Sequence, residues 1–165
     1  MRALHRLALL AYPATFLGGV FVAAGDADND PARSEVVTAP GAGPALPVKF
    51  FRVEAGGGTP LNGGFFAYPT SFRGGVSVAG PDLQPSPGAH IVTGPGSDNA
   101  PDVRVFNLGG SPLAQSLAYR RDFGGGVRVA AGNVDGTSPA VITGPGPCTG
   151  PLVRIFKVPF CPVVP

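Results

Sequence analysis

Charge is scarce in this chain: only 13% of its 165 residues are Asp, Glu, Lys or Arg. Disorder needs the reverse, high charge with few apolar side chains, and here the apolar share is 44%. The net charge of +2 is too small for a nucleic-acid grip built on many phosphate contacts. Histidine and cysteine number two each, and two cysteines alone cannot complete a four-ligand zinc site. Uninterrupted runs are short as well. Only Met1–Tyr12 offers twelve residues in a row without Gly or Pro, which excludes long helices almost everywhere. Glycine, Pro13 and polar residues break every candidate membrane span, so no membrane insertion is expected. The catalytic signatures G-x-S-x-G, H-E-x-x-H, C-x-x-C and G-x-x-x-x-G-K-[ST] are all missing. No enzyme is expected.

Glycine (26) and proline (20) are abundant instead, which without a period would mean low complexity. A period is present. Ala-Tyr recurs at 11–12, 67–68 and 118–119, and Gly-Gly-Val at 18–20, 74–76 and 125–127. VTAPG (37–41), VTGPG (92–96) and ITGPG (142–146) follow, then VKFF (48–51), VRVF (103–106) and VRIF (153–156). Four landmarks in one order, three times, define three units. In the second unit the short β-branched or aromatic runs Phe65–Tyr68, Val76–Ala79, His90–Thr93 and Val103–Phe106 predict four strands. Seven residues always join the first two: PATFLGG, PTSFRGG and RRDFGGG. Phe16, Phe72 and Phe123 are expected to fold inward and anchor this loop, with glycines at positive φ. The fold class that follows is all-β, three four-stranded antiparallel blades of β-propeller type in an open arc or partial propeller. The blades span about 7–51, 61–106 and 113–156 of a single repeat array, with 157–165 as a C-terminal tail.

The succession AY…F.GGV.VA.GD…(I/V)VTG.G…VRVF resembles the FG-GAP-like (VCBS-type) repeats of bacterial surface and secreted proteins, distant relatives of the blades in the integrin α-subunit head. The resemblance covers about Leu7 to Phe156. It implies an extracellular or cell-surface binding or adhesion module that recognises a protein or carbohydrate surface through loops on one face. It also implies weak calcium binding between the second and third strands, through a D-x-D/N-x-D-G-x-x-D pattern. Alternate carboxylates on a tight loop converge as hard oxygen ligands on one cation. The matching residues here are Asp26, Asp28 and Asp30, with Glu35 as the later acid. Pro31 stands where the pattern has Gly, and Glu35 comes one residue late. The second loop has Pro81, Leu83 and Pro85 at the triad positions and should bind nothing in this manner. The third keeps Asn133 and Asp135, with Thr137 in the third place. The alternative to a metal site is an acidic turn whose Asp side chains cap backbone amides.

Lys49, Arg104 and Arg154 share one place in the fourth predicted strand, which would be outermost in a propeller. They read as protection of an exposed edge, or else as a docking band for an anionic surface. His90 stands where the first unit has Glu35, either a remnant ligand or a plain loop-end histidine. Cys148 and Cys161 could form a disulfide pinning the tail to the third blade, or remain free thiols. Residues 1–24 resemble a signal peptide, with Arg2, Arg6 and Val-Ala-Ala, yet Tyr12, Pro13, Phe16 and Gly18-Gly19 fit the first blade. The blade accounts for more landmarks. A ring normally needs four to eight blades, so three would expose both end faces. Two chains could pair as a homodimer closing a six-blade ring. The alternative is a truncated or structural repeat fragment without a ligand of its own, acting only after assembly with further blades.

Overall fold

The computed structural model describes residues 7–26, 30, 33–54, 57–80 and 90–157. These residues are all strand, turn and loop, without a helix, in three antiparallel sheets of four, four and three strands, none closed. β1 (Val20–Gly25), β2 (Glu35–Pro40), β3 (Lys49–Glu54) and β4 (Gly57–Pro60) form the first sheet. β5 (Val76–Ala79), β6 (Ile91–Pro95), β7 (Asp102–Phe106) and β8 (Pro112–Leu117) form the second. β9 (Val127–Gly132), β10 (Ala140–Pro145) and β11 (Arg154–Lys157) form the third. In each sheet the strands lie side by side in chain order. The sheets stack in sequence, β5 packing on β1 and β2, and β9 on β5 and β6.

Two apolar layers fill the joints between sheets. Val37, Val48 and Phe50 of the first sheet meet Tyr68, Val78, Ile91 and Phe106 of the second unit. Val92, Val103 and Val105 then meet Tyr119, Val127 and Val141. Alternation along β5 and β6 sends Val76, Val78 and Ile91 to one joint and Ala79 and Val92 to the other, so the central sheet is buried on both sides. A smaller cluster around Ala11, Tyr12 and Phe51 lies against the first sheet. No helix among the described residues is long and apolar enough to cross a membrane.

The strand expected at Phe65–Tyr68 does not form. Gly64 turns the chain at φ 76°, and only Phe65 makes a bridge, to Val48. The carbonyl of Ala67 accepts from Arg104 Nη1 at 2.8 Å instead of from a strand amide. The fourth strand comes from the stretches after the VKFF and VRVF landmarks, as β4 and β8. The run GGTP of β4 has little intrinsic strand preference. It is held by pairing of Arg52 with Thr59 and Val53 with Gly58, and by Leu9, whose side chain occupies the space a Cβ on Gly58 would need. The third sheet shows three strands among the described residues rather than four.

Lys49 and Arg104 also differ from the expected rim. β3 and β7 are third of four strands, not outermost, whereas Arg154 lies on β11, an edge strand of the third sheet as described. Each cation folds over the tyrosine of its own unit: Lys49 Nζ lies 5.2 Å from the Tyr12 ring centre, and the Arg104 and Arg154 guanidinium carbons lie 4.8 and 5.4 Å from those of Tyr68 and Tyr119. Each also donates to the carbonyl of the preceding alanine, Ala11 at 2.9 Å, Ala67 at 2.8 Å and Ala118 at 3.0 Å. The tyrosine hydroxyls donate in turn to Pro47 O at 2.8 Å, Asp102 O at 2.8 Å and Leu152 O at 2.9 Å.

The seven-residue loops behave as their sequence predicts. Phe16, Phe72 and Phe123 each meet the tyrosine of their unit edge-to-face with ring centres 5.5 Å apart. The second glycine of each pair, Gly19, Gly75 or Gly126, has φ of 80–85°. The first has no room for a side chain because the loop after β2, β6 or β10 and the phenylalanine ring crowd it.

Burial pushes the Tyr12 hydroxyl up to about 12, against a smaller opposing effect of its contact with Thr38. Burial raises Tyr68 as well. A raised tyrosine favours the fold fully below its unfolded value of about 10 and loses that contribution as pH rises through the folded value. Stability should therefore fall between pH about 10 and about 12, with tyrosinate absorbance growing in step with loss of strand circular dichroism. A free-tyrosine titration with the sheets intact would contradict this. Tyr68→Phe should lower the unfolding free energy by roughly 1–2 kcal/mol in urea melts, since it strips the buried carbonyls of Thr93 and Asp102 of a donor.

Candidate functional site

Antiparallel pairing sends all loops to one of two ends of the sheets. The β1–β2, β5–β6 and β9–β10 connections share one end. The glycine loops (13–19, 69–75, 120–126) share the other with the turns that follow β2, β6 and β10.

The acidic loop of the first unit lies at the first end. Gly25 pairs with Glu35, which places Asp26 one residue beyond the ladder beside that glutamate. Asp26 Oδ1 is sealed from solvent and has no hydrogen-bond partner, a free oxygen that a cation could use. Glu35 is fully buried, with Arg52 Nε 3.8 Å from its Oε1. A guanidinium thus faces the carboxylate expected as the later metal ligand. Asp30 is exposed, its carbonyl accepting from Arg33 N at 3.0 Å. Asp28 lies outside the described residues. No group of three or more His, Cys, Asp or Glu that could hold a metal occurs among the described residues.

The third loop solves the same charge problem with the chain's own groups. Asp135 Oδ1 accepts from Thr137 N at 2.9 Å, Thr137 Oγ1 at 2.7 Å and Ser138 N at 3.2 Å, a capped turn of the kind weighed against the metal. Its other oxygen pairs with Lys157. The ammonium above all, then the Thr137 and Ser138 donors, holds this carboxyl far below the usual carboxylate range. Lys157 and Arg52 occupy the same place, each following a phenylalanine of the VRIF and VKFF landmarks. That recurrence was a usable signal for an internal cation. In the second unit the position is Asn107, and His90 stands in place of Glu35 with its Nδ1 buried.

At the opposite end each glycine loop and its neighbouring turn bound a cleft. The first, about 520 Å³, is apolar, lined by Pro13, Phe16, Leu17, Pro44 and Leu46. The second, about 450 Å³, is mixed, with Ser71, Arg73, Asp98 and Asn99. The third, about 610 Å³, is charged, with Arg120, Asp122, Cys148 and Arg154. Arg120 and Asp122 form an exposed ion pair at 3.0 Å, which raises the first and lowers the second. Cys148 is an exposed thiol, and Cys161 lies outside the described residues. No protein-family model, curated protein or solved structure matches the chain.

Arg52→Ala should destabilise the first sheet by roughly 2 kcal/mol, because it removes a cation from beside a buried carboxylate. The loss stays below that for a fully buried pair, since Arg52 keeps 33% of its side chain exposed. Arg52→Ala with Glu35→Gln should recover most of it in urea melts. An equal loss in the double variant would deny the pairing.

Proposed function

We propose that this chain is a non-enzymatic binding module built from blades of the FG-GAP-like propeller type. It would recognise a protein or carbohydrate surface with the glycine-loop end, outside the cell or at its surface as the sequence resemblance implies. One observation carries the reading: a constant frame presents varied loops. The tyrosine, the cation above it and the loop phenylalanine are the same in three units, and they are occupied in holding backbone carbonyls and rings. What changes from unit to unit is the surface between them. Leu17, Arg73 and Gly124 hold one position, and Thr15, Ser71 and Asp122 another. A rigid scaffold carrying variable loops is how binding surfaces are commonly built. Weak calcium binding in the first loop belongs to the same reading, supported by the unpartnered Asp26 oxygen.

The test is binding of the full chain to a printed array of neutral and acidic oligosaccharides, with and without calcium. Leu17→Ser, Arg73→Ala and Arg120→Ala should each weaken binding about fivefold or more while leaving the urea midpoint unchanged, as expected for exposed side chains. Binding indifferent to all three would deny the glycine-loop surface. Calorimetric titration with calcium should give a Kd on the order of 10⁻⁴–10⁻³ M, abolished by Asp26→Asn. No heat well above that range would remove calcium from the reading.

A second reading, a fragment that acts only after assembly, is favoured by the exposed apolar residues of the two outer sheets. Val20, Val22, Val153 and Ile155 are all exposed.

A further inference from the structure

We propose that two copies of this chain join head to tail, the first sheet of each docking on the third sheet of the other. The chain contains this joint twice already. Between the first and second sheets Gly43 N donates to Arg73 O at 2.9 Å. Between the second and third, Asp98 N donates to Gly124 O at 3.0 Å. Gly43, Asp98 and Cys148 hold one repeat position, all at positive φ (144°, 68° and 73°). Asp98 and Cys148 adopt it without being glycine, a conformation that L side chains disfavour. Asp98 gains a bond to the next sheet. Cys148 N has no backbone acceptor among the described residues. The residue matching Arg73 and Gly124 is Leu17, whose exposure of 92% leaves it open. The third bond in the series therefore runs from Cys148 N of one copy to Leu17 O of the next.

Backbone and side chains agree with that pairing. A Cβ on Gly75 would come within 2.7 Å of the Gly41 carbonyl carbon, and one on Gly126 within 3.0 Å of that of Gly96, whereas one on Gly19 would meet nothing within 4 Å. Val76 and Val78 are 7% and 6% exposed beneath the neighbouring sheet, but Val20 and Val22 are 47% and 67% exposed. Phe50 and Val105 are 0% and 3% exposed, but Ile155 is 56% exposed. Each bare position is one that a neighbouring sheet covers elsewhere in the same chain. A second copy carries the matching face on both sides. Head-to-tail contacts repeat until the assembly closes. Two copies bring six sheets, inside the four-to-eight range of propellers, and three bring nine. The count of two rests on the propeller reading above; the contact itself does not.

Light scattering after size exclusion of the full chain, with Val22→Glu and Ile155→Glu, tests this. Both sites are exposed in the single chain, so the sheets should survive by circular dichroism. The unaltered chain should show twice 16.6 kDa. Each variant alone should associate on the order of 100-fold more weakly, because a carboxylate would be buried unpaired. Mixing the two variants should restore a one-to-one species through the one joint both leave intact. Dimerisation of Ile155→Glu alone would mean first sheet on first sheet and overturn the proposal. A monomeric unaltered chain would overturn it too, the end faces then being covered by residues 158–165 or another molecule. A larger closed assembly blocked by both variants would keep the contact and overturn the count of two, and the propeller reading with it.

Discussion

The interaction on which the structure depends is the pin formed by each Ala-Tyr pair. The alanine carbonyl accepts from Lys49, Arg104 or Arg154, and the same cation lies over the tyrosine ring. The tyrosine hydroxyl then reaches past the second strand to the chain entering the third: Tyr12 touches Thr38 O and Pro47 O, and Tyr68 touches Thr93 O and Asp102 O. One side chain thereby satisfies acceptors that the short, twisted ladders leave open. It also fixes the phenylalanine that supports the glycine loop. Sheets of four- to six-residue strands bury little on their own and need such cross-ties.

The pins set where each sheet sits on its predecessor. Because the Ala-Tyr segment belongs to one sheet yet packs against the one before, it forms the wedge between them. Phe65 shows this directly, with ring centres 6.1 Å from Phe50 and 4.7 Å from Phe106. Backbone then meets backbone at Gly75 and Gly126, where any side chain would hold the sheets apart. Stacking built on main-chain contact is indifferent to most side-chain changes. It follows that the loops could diverge while the spacing between landmarks stayed nearly constant.

Much of this was legible in the sequence because it repeats. The three units, the central strands, the inward phenylalanines and the positive φ of the second loop glycine all correspond to landmarks. The misses share a cause. Phe65–Tyr68 has the composition of a strand, but its backbone carbonyl and its rings are claimed by Arg104, Phe50 and Phe106, which lie far away in sequence. Conversely, GGTP has a poor composition and becomes β4 because β3 offers it an open edge and Leu9 fills the space beside Gly58. Arg104 read as a surface cation because alternation fixes which face a side chain leaves, not where a long flexible stem ends. At the acidic loops the spacing of Asp26 and Asp30 was readable, whereas the guanidinium beside Glu35 comes from another strand.

The two ends of the sheets consequently differ in how much chemistry they leave unspent. At the hairpin-loop end, charge is largely met from within: Arg52 faces Glu35, Arg33 reaches Glu54 at 3.4 Å and Lys157 pairs with Asp135. Any cation arriving there competes with a tethered one, whose effective concentration is set by the chain itself. A ligand loop whose carboxylates already hold donors binds metal less tightly than one with bare oxygens, because those donors must be displaced first. At the glycine-loop end Arg104 pairs with Asp102 at 2.8 Å, but the loop tips are less tied. Arg73 donates only to carbonyls of its own loop, Thr70 and Phe72, and the Arg120–Asp122 pair is exposed on both sides. Exposed pairs of that kind contribute little to stability and are easily exchanged for an incoming polar group. Among the described residues, the exposed tips of the glycine loops therefore keep polar groups less tied to the rest of the chain than those of the hairpin loops.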